Sequence, residues 1–485
     1  MSNPIIPGLD QAAAAGKQAG KERAVRWALA SLSLSILISS LGTSIANVGL
    51  PTLAQVFNAS FQQVQWVVLA YLLAITTLIV SVGKLGDIVG RRRLLLVGIA
   101  LFTLASVLCG MVPTLWLLVA ARGLQGLGAA VMMALTMAFV GETVPKERTG
   151  SAMGLLGTMS ALGTALGPSL GGVLIAWLGW RAIFMVNLPL GIAAFVLAYR
   201  YLPLDRGERK TGTAGFDKLG TLLLALTLTA YALAMTVHPG GGRSGFGLLN
   251  MVLLLAAAAG AGLFVLVESK ALSPLIRLGM FRNAALSASL ATSSLVATVM
   301  MATLVVGPFY LSRALGLEAA VVGLVLAAGP FVVALTGVPA GRIADRFGAQ
   351  RMAVAGLTAM AVGCFFLFML PTALGIPGYL APLVVLTVGY ALFQTANNTA
   401  VMKDIRPEQR GVISGMLNLS RNLGLVTGAS VMGAVFAFAA ASADIATAQP
   451  GAVASGMQAT FAVGGGLLLV ALAIAAKAGA VRRSN

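Results

Sequence analysis

The sequence predicts an all-α polytopic membrane protein, and three observations carry that reading. Hydrophobic residues fill 58% of the 485 positions and charged ones only 9%, with a mean hydropathy of +0.94. A soluble domain is about half apolar and about a quarter charged. The apolar residues are gathered into runs of about 20, the length with which a helix crosses a bilayer while satisfying its own backbone. The basic residues fall in short clusters between those runs, mostly on one side, as the positive-inside rule requires.

Taken in order, the chain gives fourteen spans. Residues 1–26 are polar, with Lys17, Lys21, Arg23 and Arg26. The apolar run after them is too long for a signal-peptide core, so they read as an uncleaved cytoplasmic tail. Six spans follow at 27–51, 63–83, 94–112, 114–140, 151–173 and 181–203. Residues 204–282 open on a basic segment and hold two further spans, 217–237 and 246–268. The last six lie at 283–311, 319–341, 351–372, 379–402, 410–440 and 456–480. With the N-terminus inside, the outer segments carry only Arg181, Arg243 and Arg313, while Arg122 and Arg421 lie within spans. Both termini are then cytoplasmic.

A short pattern occurs twice. GKLGDIVGRRR (Gly83–Arg93) follows the second span and GRIADRFGAQR (Gly341–Arg351) follows the tenth. These places are equivalent if the chain is an N-terminal six-helix bundle (27–203), a linker with two extra transmembrane helices (204–282) and a C-terminal six-helix bundle with a short tail (283–485). A weak internal repeat of this kind marks transporters built from two related bundles.

Other classes are excluded by distribution. The net charge of +18 is scattered through topology-setting clusters rather than gathered as a nucleic-acid footprint. Cys109 and Cys364 lie in apolar runs and read as core residues, not a disulfide. His238 is the single histidine, which removes a His/Cys metal site. GLQGLG (Gly123–Gly128) follows no strand and is not a phosphate loop. No cofactor, nucleotide site, catalytic constellation or obligate protein partner is expected.

The doubled stretch resembles a family signature. Gly83-x-Leu85-x-Asp87-x-x-Gly90-Arg91-Arg92 is similar to the loop motif of the major facilitator superfamily, and Gly341–Arg351, with Asp345 and Arg346, resembles its degenerate second copy. ARGLQGLGAA (Ala121–Ala130) resembles the superfamily's fourth-helix motif. LGTALGPSLGG (Leu162–Gly172) resembles the fifth-helix motif associated with antiporters. GWRAIFMVNLPLG (Gly179–Gly191) and the fourteen spans resemble the drug:proton antiporter branch. The resemblance implies a small-molecule exporter working by alternating access in a bacterial inner membrane, driven by a proton or other ion gradient.

Each motif has a physical reading. In the loop, glycines permit tight turns, Asp87 and Asp345 pair with basic groups or helix N-termini, and the whole serves as a cytoplasmic gate or as plain topology signalling. Gly163, Gly167 and Gly171 make a helix-packing stripe, and Pro168 is a kink site. Arg122, with Gln125 three residues on, is a charge in mid-membrane; it is either an anchor to neighbouring carbonyls or a cavity group. Arg421 has the same two readings. Asn47, Gln394, Asn397, Asn398, Asn418 and Asn422 are polar positions within spans and candidates for the cavity wall. Met132, Met133, Phe309 and Tyr310 are candidates for an adaptable apolar pocket.

One departure stands out. The antiporter branch commonly reads Leu-Asp-x-Thr-x-x-Asn-x-x-Leu-Pro at the end of the first span; this chain reads LGTSIANVGLP (Leu41–Pro51), with Gly42 at the acidic position. None of the 14 acidic residues falls in the middle third of a span. The expected substrate is therefore a neutral or anionic amphiphile. The alternatives are a carrier of a neutral or anionic metabolite without proton coupling, and a non-transporting receptor or scaffold. Gly42 itself lies on a small-residue face (Ser35, Ser39, Gly42, Ala46, Gly49) that either packs on a neighbour or borders a cavity.

Overall fold

The computed structural model describes residues 7–143, 149–204, 217–236, 247–271, 274, 278–369, 371–402, 410–441 and 448–484. All regular structure among them is helical. The first six spans are built by α1 (Pro7–Val48), α2 (Leu50–Val56), α3 (Phe61–Val89), α4 (Arg91–Met111), α5 (Leu115–Thr143), α6 (Thr149–Leu178), α7 (Ala182–Met185) and α8 (Asn187–Tyr201). The linker spans are α9 (Lys218–Thr236) and α10 (Leu248–Lys270). The last six are α11 (Ala284–Phe309), α12 (Ala319–Phe347), α13 (Ala349–Phe368), α14 (Gly375–Met402), α15 (Arg410–Thr427), α16 (Gly433–Ala439) and α17 (Pro450–Ser484). Thirteen helices among the described residues are long and apolar enough to cross a membrane, and the fourteenth, α12, has a shorter apolar stretch at Ala319–Val333.

Local chemistry sets the ends. Ser60 and Gln63 form a reciprocal capping box at the start of α3, satisfying two otherwise orphaned amides. The Asn283 side chain accepts from the amides of Ala285 and Leu286 to start α11. Positive-φ glycines, Gly90 and Gly348, join α3 to α4 and α12 to α13.

Three features depart from a simple string of rods. Residues 7–26, expected as a polar tail, continue α1 as helix; their Ala, Lys, Gln and Glu are strong helix formers. The first span breaks at Gly49, and the separate short α2 starts at Leu50 with Pro51 in its first turn. Two spans contain π-helical turns, Tyr310–Ala314 after α11 and Gly428–Met432 between α15 and α16.

Packing follows from small residues. A carbon added at Gly163 would strike the Leu37 carbonyl, one at Gly167 the Ser44 hydroxyl, and one at Gly171 would lie 2.7 Å from Val48. The stripe on α6 therefore seats α1. Helices α3, α4 and α5 pack together, and α8 closes on α1 and α4. In the second set, α11 packs on α15 and α17, and α14 on α12 and α13. The most extensive contact between the two sets is α6 on α12. There a carbon added at Gly172 would lie 2.9 Å from Gly323 Cα, so the backbones touch.

Candidate functional site

Arg122, on α5, is fully buried at 0% exposure. Its fork is filled from three sides. Nε donates to the Val67 carbonyl of α3 at 2.9 Å, Nη1 to Gln125 Oε1 at 2.6 Å, and Nη2 to the Gly42 carbonyl of α1 at 3.0 Å. Gln125 Nε2 passes the connection to Ser106 Oγ of α4 at 2.6 Å. The guanidinium also lies 4.1 Å from the centre of the Tyr71 ring and 5.9 Å from that of Phe184. One cation thus ties four helices together, and its hydrogen-bond acceptors are all neutral. A planar fork can do this where a point charge cannot.

Tyr71 explains Gly42. Its hydroxyl donates to the Ser39 carbonyl at 2.7 Å. A carbon added at Gly42 would sit 2.8 Å from that hydroxyl and 3.4 Å from Phe102. The position where the antiporter motif carries an acid is closed by a tyrosine, and the small-residue face around Gly42 is packed.

A second cluster lies where the α1–α3 connection turns. Phe61 at the start of α3 meets Phe309 of α11 and Phe436 of α16 edge to face, with ring centres 4.8 and 5.2 Å away. All three rings are at 0% exposure. One turn along, Gln65 Nε2 donates to the Ala429 carbonyl at 2.9 Å. A side chain at Gly433 would collide with the Gln65 amide, so only glycine leaves room for this contact. By connectivity, the Gly172–Gly323 crossing is at the same end. Here the first set of helices is shut against the last.

The remaining candidates are dispersed. Asn47 is buried and donates to the carbonyls of Thr43 and Ser44 on its own helix. Asn397 is turned away from the first set: its Oδ1 accepts from Ser289 of α11 at 2.7 Å. With Gln350 and Thr292 it lines a cavity of about 30 Å³ between α11, α13, α14 and α17, room for a water or two. Gln394, Asn418 and Arg421 are half-buried, Asn398 is exposed and Asn422 is buried. Met132, Phe309 and Tyr310 are fully buried and Met133 half-buried. In the loop, Arg92 Nη2 donates to the Tyr199 carbonyl on α8, and its guanidinium lies 5.3 Å from the Tyr199 ring centre. Gly90 holds the turn; Arg91 is half-buried and Arg346 is exposed beside Phe347. The side chains of Asp87 and Asp345, with Gly83, lie outside the described residues.

Phe61, Gln65, Tyr71 and Ser106 escaped the sequence reading. Gln65 carried a signal, being the last and deepest of three glutamines (Gln62, Gln63, Gln65) at the start of an apolar span. Tyr71 and Phe61 did not, because an aromatic ring in a span is equally at home against lipid.

The comparisons agree with this architecture. The sequence profile of the Major Facilitator Superfamily matches residues 32–429. The riboflavin transporter RibZ of Clostridioides difficile is 30% identical over 409 residues, covering 84% of this chain and 87% of that protein. The multidrug resistance protein Stp of Mycobacterium tuberculosis is 32% identical over 418 residues, covering 84% and 75%. The crystal structure of a bacterial homologue of the human lysosomal transporter Spinster, inward-facing and unoccupied, superposes with a TM-score of 0.67 at 15% identity, over 94% of this chain and 97% of that one. The chain belongs to the Major Facilitator Superfamily and is a multi-pass membrane transporter.

Proposed function

We propose that the chain is an alternating-access exporter of small neutral or anionic amphiphiles, not an enzyme, in a bacterial inner membrane with both termini cytoplasmic. The moving bodies are the bundles 27–203 and 283–485, with 204–282 as linker. The observation that carries the substrate class is the Arg122 site. A buried guanidinium is held by two carbonyls and an amide, and Tyr71 closes the position of the usual acid. Such a centre repels a lipophilic cation and offers no carboxylate to exchange a proton. With the N-terminus inside, the Phe61–Phe309–Phe436 end is the outer one, and its closure fits an inward-facing resting state. The name of RibZ, a riboflavin transporter, supports a planar neutral compound, and that of Stp, a multidrug resistance protein, supports export of drugs. Arg122, Gln125, Asn47, Gln394, Asn398, Asn418 and Arg421 remain the residues we assign to the cavity or its coupling, whereas Asn397 is turned to α11. Gly83, Asp87, Gly90, Arg91, Arg92, Asp345 and Arg346 are assigned to the inner gate.

The test is a resistance screen in an efflux-deficient host with matched cationic and anionic compounds, followed by flux in everted vesicles. Resistance confined to neutral and anionic compounds supports the reading; resistance to cations alone overturns the substrate class. RibZ's name favours one second reading, a metabolite carrier without proton coupling. A pH change in proteoliposomes that depends on substrate would count against that carrier and for antiport. Absence of flux across the panel would leave the receptor reading.

A further inference from the structure

We propose that α9, the first of the two extra helices, is a third wall of the outer gate: it travels with α3 and parts from α15 when that end opens. This rests on the alternating-access reading above. Helix α9 is fastened to α3 at two places. Trp66 Nε1 donates to Thr236 Oγ1 at 3.1 Å, and Ser81 and Thr221 share a hydroxyl–hydroxyl bond of 2.9 Å. Ser81 is about four helical turns from Trp66, so the two fasteners fix α9 along most of its length. Toward the last six helices α9 has a narrower hold. It packs on the π turn Gly428–Met432 that follows α15, with Tyr231 facing Thr427, the last residue of α15.

The same π turn receives Gln65 from α3. Gln65 and Trp66 are neighbours, set about 100° apart by the helix rotation. One therefore plugs the C-terminal set while the other holds α9. Helix α3, the π turn and α9 close a triangle, and α9 lies over the seam where α3 meets that turn. A π turn is a common place for a helix to be reshaped at a functional site. Opening the outer end must withdraw Gln65 from the pocket that Gly433 leaves for it. Two bonds to α3 against one reach to Thr427 decide which partner α9 leaves. On this account the extra helices take part in gating, through Gln65, Tyr231 and Thr427 as positioning residues.

The test uses the full-length chain, whose native Cys109 and Cys364 are buried. One variant carries Tyr231→Cys with Thr427→Cys, another Ser81→Cys with Thr221→Cys. Each is bridged by a short bis-methanethiosulfonate linker that a reductant releases. Bridging α9 to α15 is expected to slow transport at least tenfold, reversed by reductant; bridging α9 to α3 is expected to change it less than twofold. The opposite pattern, or no effect of the α9–α15 bridge, overturns the proposal, as does failure of Tyr231→Cys and Thr427→Cys to bridge at all. A second readout needs neither transported compound nor cross-link. Ala429→Cys, at a position of 0% exposure, is labelled from outside by an impermeant thiol reagent only when the end opens. Adding Tyr231→Phe, which removes the hydroxyl that faces Thr427, should raise that labelling rate about fivefold. An unchanged rate counts against α9 as a gate wall even if the exporter reading stands; absent flux with raised labelling counts against the exporter reading alone.

Discussion

Gly90 and Gly348 occupy the same place, seven residues into the two copies of the loop motif, and hold nearly the same backbone, with φ of 103° and 89° and ψ of 125° and 135°. The sequence repeat is thus a conformational repeat. Each glycine ends one span and starts the next in a region that a side chain makes costly, of order 1–3 kcal/mol. Gly90→Ala and Gly348→Ala should each lower the melting temperature in detergent. Gly123→Ala, in a helix with open space around it, is the control and should not. Equal stability of all three variants would show the loops are free to relax.

The Arg122 network predicts a graded series. Arg122→Ala leaves Gln125 Oε1 and the Gly42 and Val67 carbonyls without these donors. Hydrogen bonds to a charged group are worth about 1.5–3 kcal/mol each. The variant should insert but lose transport and melt well below the parent. Arg122→Lys should recover only part of both, because one ammonium cannot reach three acceptors in a plane. Recovery by lysine to parental stability would mean charge alone matters.

Most of the fold was legible because the bilayer imposes one rule on every span, about 20 apolar residues with basic residues at one end. What that rule does not touch was not legible. The break at Gly49 and the π turn Gly428–Met432 lie inside expected spans, and the π turn Tyr310–Ala314 runs across the expected end of one. The stripe Gly163–Gly167–Gly171 announced close packing but not that α1 is its partner. In the site, the pairing of Arg122 with Gln125 follows from helical spacing. The Val67 and Gly42 carbonyls do not, because a backbone acceptor leaves no mark in a sequence. The polar residues of α14 looked like a cavity wall, yet Asn397 faces α11.

The α6–α12 crossing predicts a conformational bias. A methyl at Gly323 would strike the Pro168 carbonyl and lie 2.9 Å from Gly172 Cα. Gly323→Ala should push the two sets of helices apart at this end and favour its open state. Labelling of Ala429→Cys from outside should rise several-fold while the protein stays folded. Unchanged labelling, with a lowered melting temperature, would mean the contact stabilises both states alike.

The last prediction separates packing from proton chemistry at Gly42. The Tyr71 hydroxyl occupies the space where a side chain would start, 2.8 Å from the Cβ position. It is fixed there by its bond to the Ser39 carbonyl, and its ring is fixed under the guanidinium of Arg122. Gly42→Asp must therefore displace the ring, break that bond and strip Arg122 of its π partner, a combined loss of several kcal/mol. The variant should yield little folded protein. Gly42→Ala should be milder but still destabilising, and Tyr71→Phe should relieve it in part by removing the nearest atom. A double-mutant cycle on melting should show a coupling of about 0.5–3 kcal/mol between the two positions. Replacing the ring altogether, as Gly42→Asp with Tyr71→Ala, leaves room for a carboxylate near Arg122. That pair should fold better than Gly42→Asp alone, and it is the form in which pH-dependent export of a lipophilic cation should be sought. If Gly42→Asp alone folds and transports like the parent, α1 and α3 part easily here, and Tyr71 is a lid over the acidic position rather than its replacement.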